Sequence, residues 1–209
     1  MSELHVSLRG LPLPRRMRAL PVDVRGFPVP WFVMWVDGAP DHRVVDFEKV
    51  VRALQEKRCF TCGDHLGRNL TFCLGMVSLI TTVSAEPPSH LECIEYALKG
   101  CPFLSRPYAK RRVDGLPEGT ADVQGFMDHH PQVMTAYTTR SYEAHQGNPG
   151  ILFTIGPMGS ITWWTEGRRA THDECQAALH LACDKLVDVE NQAALMQGVQ
   201  RVLPWFPAA

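Results

Sequence analysis

The sequence has no long apolar run. No stretch of its 209 residues reaches the roughly 18 consecutive apolar positions that a membrane-crossing helix needs, so no membrane span is expected. Arginines stand near the N-terminus, but no apolar stretch of about 7–15 residues follows them, and the segment does not read as a signal peptide. Net charge is equally scarce. The 21 Lys and Arg against 22 Asp and Glu leave −1, which excludes polyanion binding by bulk charge. Several catalytic signatures are missing as well: there is no Gly-rich phosphate loop, no G-x-S-x-G nucleophile turn and no H-E-x-x-H. No proline precedes the Cys59/Cys62 pair, as it would in a nucleobase deaminase.

What is present is ordinary globular material, 45% hydrophobic and 21% charged, with ample apolar residues for a core. The seven cysteines are an odd number and are spread through the chain. That pattern favours a reducing compartment in which thiols pack or bind metal, and it predicts a cytoplasmic protein.

The chain reads as α+β. Residues 1–28, with "LPLPRR" and "GFPVP", are rich in proline and arginine and predict an extended arm. A unit of strand, helix and metal module is expected over 29–103, a loop-rich connection over 104–130, and a β-meander plus two helices over 131–209; alternatively 29–209 form one domain. "WFVMWV" predicts a buried strand, and Asp46 caps a helix near 47–57. "NLTFCLG" and "SLITTVS" predict a hairpin. Ser89 with Glu92 predicts a capping box ahead of the next helix, and Thr171 with Glu174 predicts another. Three strands, "QVMTAYTTRSY", "GILFTIG" and "SITWWT", make the antiparallel meander. A helix striped with Cys175, Leu179 and Ala182 follows, and the last helix, near 190–203, ends at Pro204.

One spacing carries chemistry: Cys59-x2-Cys62-x27-His90-x2-Cys93. Zinc takes four N or S ligands in a tetrahedron, and four protein ligands make a closed, structural site. In "CFTCG" a tight turn aims both sulfurs at one point, with Gly63 free to take positive φ. In "SHLEC", His90 and Cys93 stand three apart at a helix start, so their side chains share a face. Knuckle, hairpin and a helix with two ligands at its start predict a treble-clef-like zinc module. His65 is an alternative to His90, and a redox pair at Cys59 and Cys62 is an alternative to metal. The hairpin over 69–84 holds no histidine and no carboxylate, which argues against the nuclease chemistry that some treble clefs carry.

"GFPVPWFVMWVDGAPDHRVVD", "CFTCGDHLG", "SAEPPSHLECIEYALKGCPFLSRP" and "WWTEGRRATHDE" together resemble a group of hypothetical proteins encoded by phages and prophages. The resemblance spans about 11–175 and keeps the motif order, though "LGMVSLI" stands where the group often reads "GPM" and a polar turn. It implies an intracellular, often phage-encoded protein with metal at the cysteine cluster, and it implies no particular activity.

Three functions fit these residues. The first is a zinc-stabilised protein that docks on a host or phage macromolecule, most readily a protein. Trp163, Trp164, Arg168 and Arg169 would supply stacking and charge, with Arg140 as a further contact. The same tryptophans could instead pack under neighbouring helices. The second is a nucleic-acid binder using "RRMR" and the cluster Arg106, Tyr108, Lys110, Arg111 and Arg112. The third is an enzyme using Arg140, His129, His130 or Asp37 in a pocket.

Overall fold

The Asp37-Gly38 pair sets the first hairpin, because both residues take positive φ (50° and 78°), as a two-residue hairpin loop demands. It joins β1 (Val33–Val36) to β2 (Ala39–Val45) in a separate two-stranded antiparallel sheet. The computed structural model describes residues 3–106, 108–110, 112–116, 129–147, 150–186 and 191–209. The expected buried strand over 31–36 is therefore one arm of a hairpin. Val33 is fully buried, but Trp35 is 48% exposed, since β1 has a neighbour on one edge only. Asp46 then caps α1 (Phe47–Gln55) through the Glu48 N–H at 3.1 Å, as the sequence predicts.

Two further sheets hold the molecule together, and both are antiparallel. The first runs in the order β3 (Leu70–Gly75), β5 (Met134–Thr139), β8 (Ser160–Thr165), β9 (Arg168–Arg169). The second runs β4 (Val83–Ser84), β7 (Gly150–Ile155), β6 (Tyr142–Gly147). The expected single meander is thus divided. The chain bends at Arg140 and Ser141, leaves the first sheet for the second, and returns at Gly156 and Pro157. The two corners cross at close range: the Gly156 N–H donates to the Ser141 carbonyl at 3.0 Å, and a Cβ on Gly156 would overlap Ser141.

All six residues of β5 are buried, so the central strand is covered on both faces. On one side Met134, Ala136 and Trp164 pack against Ile94 and Leu98 of α3 (Leu91–Gly100). On the other, Tyr137 and Trp163 join a larger core with Phe153 of the second sheet and Leu179 of α4 (His172–Lys185). The alternation of side chains along a strand sends the adjacent indoles to opposite layers.

The hairpin predicted over 69–84 does not form. After β3 the chain turns into α2 (Met76–Thr81), and β4 pairs with β7 instead of β3. Met76, Leu79 and Ile80 fall at i, i+3, i+4 and are all buried, a helical stripe within a β-branched stretch too short to separate the two readings by sequence. α2 packs against both α4 and α5 (Gln192–Val202), and this tertiary burial outweighs local strand preference.

The N-terminal segment also differs from an extended arm. Two 3-10 turns, Val6–Leu8 and Arg15–Met17, fold it back on itself. Leu8 and Met17 are buried against Cys59, Cys62, Cys93 and Tyr96. Proline removes ladder donors, which explains the lack of helix and strand, but leucines at 4, 8, 11, 13 and 20 still give the segment a side to bury.

The capping box at Thr171 forms as the sequence predicts. The Thr171 hydroxyl accepts from the Glu174 N–H at 3.3 Å, and the Glu174 carboxylate accepts from the Thr171 N–H at 2.8 Å. Glu174 also pairs with Arg168 at 2.7 Å. Arg168 and then the Thr171 N–H hold its pKa at about 2, below the ordinary 4.5. A carboxylate lowered on folding stabilises fully above about 4.5, and that stabilisation is lost as pH falls towards 2. The side chain is 33% exposed, so solvent screens the pair. Glu174→Gln is expected to cost at most ~1 kcal/mol at pH 7 in urea unfolding. The gap to wild type should close near pH 2, and a constant gap across that range would show that the ionised carboxylate is not what stabilises.

Candidate metal centre

The loop after α1 closes on itself before it presents any ligand. The Cys59 N–H donates to the Asp64 carbonyl at 2.7 Å, and the Gly63 N–H donates to the Cys59 carbonyl at 2.8 Å. Gly63 holds φ at 81°, and a Cβ there would meet the Trp31 ring at 2.9 Å, so the tight turn requires glycine twice over. Within this knuckle the Cys62 N–H points at Cys59 Sγ (3.4 Å).

The second ligand pair comes from the start of α3. His90 is the residue just before the helix, in extended conformation, and Cys93 lies in the first turn. Cys59, Cys62, His90 and Cys93 offer ligand atoms that all lie within 4.8 Å of one another, and the three cysteines are buried. Among the described residues this is the one such group with metal-ligating side chains.

The imidazole is oriented by a backbone group. His90 Nε2 lies 3.1 Å from the His65 carbonyl, which can only accept, so Nε2 carries the proton. Nδ1, 3.4 Å from Cys62 Sγ, faces the sulfurs, and it becomes an electron donor once a cation displaces its proton. A ligating histidine with its other nitrogen anchored is the usual arrangement around bound metals. His65 itself does not replace His90: its Nδ1 is turned to the Glu56 carbonyl at 3.0 Å. Cys101 stands at the far end of α3, where it caps the helix through its N–H to the Ala97 carbonyl.

Without an ion the electrostatics divide the group, favouring proton release from Cys59 and proton retention at Cys93 and His90. Hydrogen bonds from Cys62 and then from Cys93 hold the Cys59 thiol far below its ordinary range. Backbone N–H groups of Cys62 and His90, each 3.4 Å from Cys59 Sγ, add to the effect. The Cys93 thiol is pushed up by its hydrogen bonds to Cys59 and Cys62, and the same two sulfurs raise His90 to about 10. Protons shared this tightly among sulfurs mark a set of groups that a cation displaces them from. Three thiolates and one imidazole suit a soft or borderline cation in tetrahedral geometry. His90-Leu91-Glu92 also reads as H-x-E, yet Glu92 does not serve the centre: it pairs with Arg16 at 3.3 Å at the surface, and Cys93 takes the fourth position.

Ser89 has a different task from the cap expected of it. No side chain caps α3. The buried Ser89 hydroxyl accepts from the Thr61 N–H at 3.1 Å and meets the Thr61 hydroxyl at 2.9 Å, while the Ser89 backbone bridges to Thr71 of β3. Helix start, knuckle and sheet edge are thereby joined at one residue, which was not legible from the S-x-x-E spacing.

The remaining candidates do not converge. Trp163 and Trp164 are both 4% exposed, so no indole is offered to a ligand. Their ring N–H groups are committed inside the protein, Trp163 to the Trp205 carbonyl at 2.7 Å and Trp164 to Thr162 Oγ1 at 2.8 Å. Arg168 pairs with Glu174 and Glu166. Arg169 pairs with Glu95 at 3.1 Å and stacks 3.9 Å from the Trp164 ring centre, closing the edge of the sheet. Arg140 is exposed at the β5–β6 bend, Asp37 sits in the β1–β2 turn, and Arg112 is exposed with its carbonyl accepting from Arg43. Arg111 lies outside the described residues. His130 is buried with both ring nitrogens engaged, Nε2 with the Leu104 carbonyl (3.0 Å) and Nδ1 with the Gln132 N–H (2.9 Å). Burial holds its pKa below the ordinary value.

Two sets of variants test this geometry. Cys59→Ser or Cys93→Ser should lose the bound metal in elemental analysis, whereas His65→Ala and Cys101→Ala should keep it. A Cys93→Ser protein with full metal content would refute the ligand assignment. Ser89→Ala should destabilise by ~1–3 kcal/mol, because it strands the buried Thr61 donors. The smaller loss typical of an exposed cap, with unchanged metal retention against a chelator, would speak against the knuckle tie.

Compared with known protein families, characterised proteins and solved structures, the chain matches none.

Proposed function

We propose that the chain is a zinc-braced binding protein of the phage or prophage type, which acts in the host cytoplasm by docking on a host or phage macromolecule, most readily a protein. The observation that carries this reading is the closed ligand set: four protein donors within 4.8 Å of one another would fill a tetrahedral ion and leave no position for substrate or water. Zinc fits such a set best, having no geometric preference to resist the tetrahedron. The treble-clef reading draws support from the knuckle and the ligand-bearing helix, between which β3, α2 and β4 stand where such a module has a hairpin. A binding role is further supported by large apolar side chains left at the surface of the first hairpin and of α1, namely Trp35, Val36 and Phe47, at 48%, 38% and 52% exposure. The phage association rests on the resemblance of the motifs. No helix among the described residues is long and apolar enough to cross a membrane.

A nucleic-acid role is the second reading, favoured by one surface. Arg106, Lys110 and Arg112 are exposed around Tyr108, which is 85% exposed, and this combination suits a phosphate backbone and a stacked base.

Purified protein should contain about one zinc per chain, and chelation should unfold at least the region 58–103, since structural zinc contributes ~10–16 kcal/mol in small modules. Affinity capture from host lysate, with and without nuclease, separates the two readings. A partner that survives nuclease and is lost on Trp35→Ala supports protein docking. Capture that collapses with nuclease, and that Arg112→Glu weakens, transfers the function to nucleic acid. Zinc-free wild-type protein with full stability would refute the zinc brace.

A further inference from the structure

At one end of the first sheet lies a cleft of about 760 Å³, formed by the ends of β3 and β4, by α2 and α4, and by residues 108–110 and 129–132. Its volume falls within the range of small-molecule sites. The floor is apolar: Met76 and Val77 from α2 face Ala178, Leu181 and Ala182 from α4. Leu181 is 44% exposed, an open apolar side chain that α2 does not cover.

The rim is cationic. Lys110 and Lys185 border the cleft, and neither has a carboxylate partner among the described residues. Glu86 shares the rim and has an interaction of its own. Two ammonium groups against one carboxylate leave the lining positive. Ser78 and Gln132 add hydrogen-bonding side chains at the same border.

His130 has both ring nitrogens occupied, and burial pushes the Cys73 thiol well above its ordinary value, so it stays protonated. Tyr108, largely exposed beside Lys110, is placed to cover an apolar ligand body.

We propose that this cleft binds a small organic anion with an apolar body: the body lies on Met76, Val77 and Leu181, and the acidic group meets Lys110 and Lys185. Ligand size follows from the volume, polarity from the floor, and charge from the rim. The site is separate from the metal centre and from the Trp35 surface, and it shares Tyr108 and Lys110 with the basic surface of the second reading.

The test uses full-length protein and 8-anilinonaphthalene-1-sulfonate, an aromatic anion whose fluorescence reports apolar binding. Saturable binding, displaced by decanoate, is expected. The Lys110→Glu, Lys185→Glu double variant should weaken it about tenfold, the scale of one charge-assisted contact. Leu181→Glu should weaken it at least as much, since it sets a carboxylate on the floor. Trp35→Ala, which removes an apolar surface elsewhere, should leave affinity unchanged. Both cleft variants alter exposed side chains, and their thermal midpoints and metal content should match wild type, which separates a failure here from a failure of the zinc brace. The proposal is overturned if wild type shows no saturable binding, if decanoate does not displace the probe, if the lysine variant binds as wild type does, or if Trp35→Ala abolishes binding.

Discussion

The convergence of four ligand atoms to within 4.8 Å is the constraint on which the rest of this structure depends. It joins segments that no regular secondary structure joins. The knuckle follows α1, while the second ligand pair stands at the head of α3, with 27 residues between Cys62 and His90. α3 in turn covers one face of the first sheet through Ile94 and Leu98. The N-terminal segment depends on the same point, since Leu8 and Met17 bury themselves on the ligating cysteines and on Tyr96. Arg16 clamps that packing from outside by pairing with Asp64 and Glu92, each next to or close to a ligand. Such exposed pairs contribute little energy and mainly set register.

The polar ties around the centre are as specific as the ligands. Ser89 satisfies the Thr61 donors, the His65 carbonyl fixes the His90 tautomer, and two N–H groups solvate the Cys59 sulfur. The Thr61 donors, being buried, would be costly to strand. The centre is therefore preorganised by its surroundings: helix start, knuckle and sheet edge meet whether one traces the sulfurs or the hydrogen bonds.

Charge and aromatic rings serve the fold more than the surface. The tandem tryptophans sit on either side of the first sheet, and Arg169 lies over Trp164 while holding Glu95 of α3. Stacking and charge in adjacent residues are what a ligand site needs, but here the partners are the protein's own helix and carboxylates. The openings left to the outside lie elsewhere, on the first hairpin and in the cleft between α2 and α4.

Much of this was readable from local pattern. The α+β class, the caps at Asp46 and Thr171, and all four members of the cysteine–histidine cluster follow from spacing, because their geometry is set within a few bonds or by the demands of one coordination sphere. Three features were not readable. A β-branched stretch became α2 because Met76, Leu79 and Ile80 are buried against α4 and α5. The meander split because the bend at Arg140 and Ser141 moves the chain between sheets. Ser89 turned from cap to tie because Thr61, 28 positions away, competes for its hydroxyl. In each case the deciding partner is distant in the chain. The sequence by itself determined what its own neighbouring residues could satisfy: caps, turns and the ligand set. Tertiary structure alone decided which faces are buried and which polar groups meet, because burial and long-range hydrogen bonds exist only once the layers have packed.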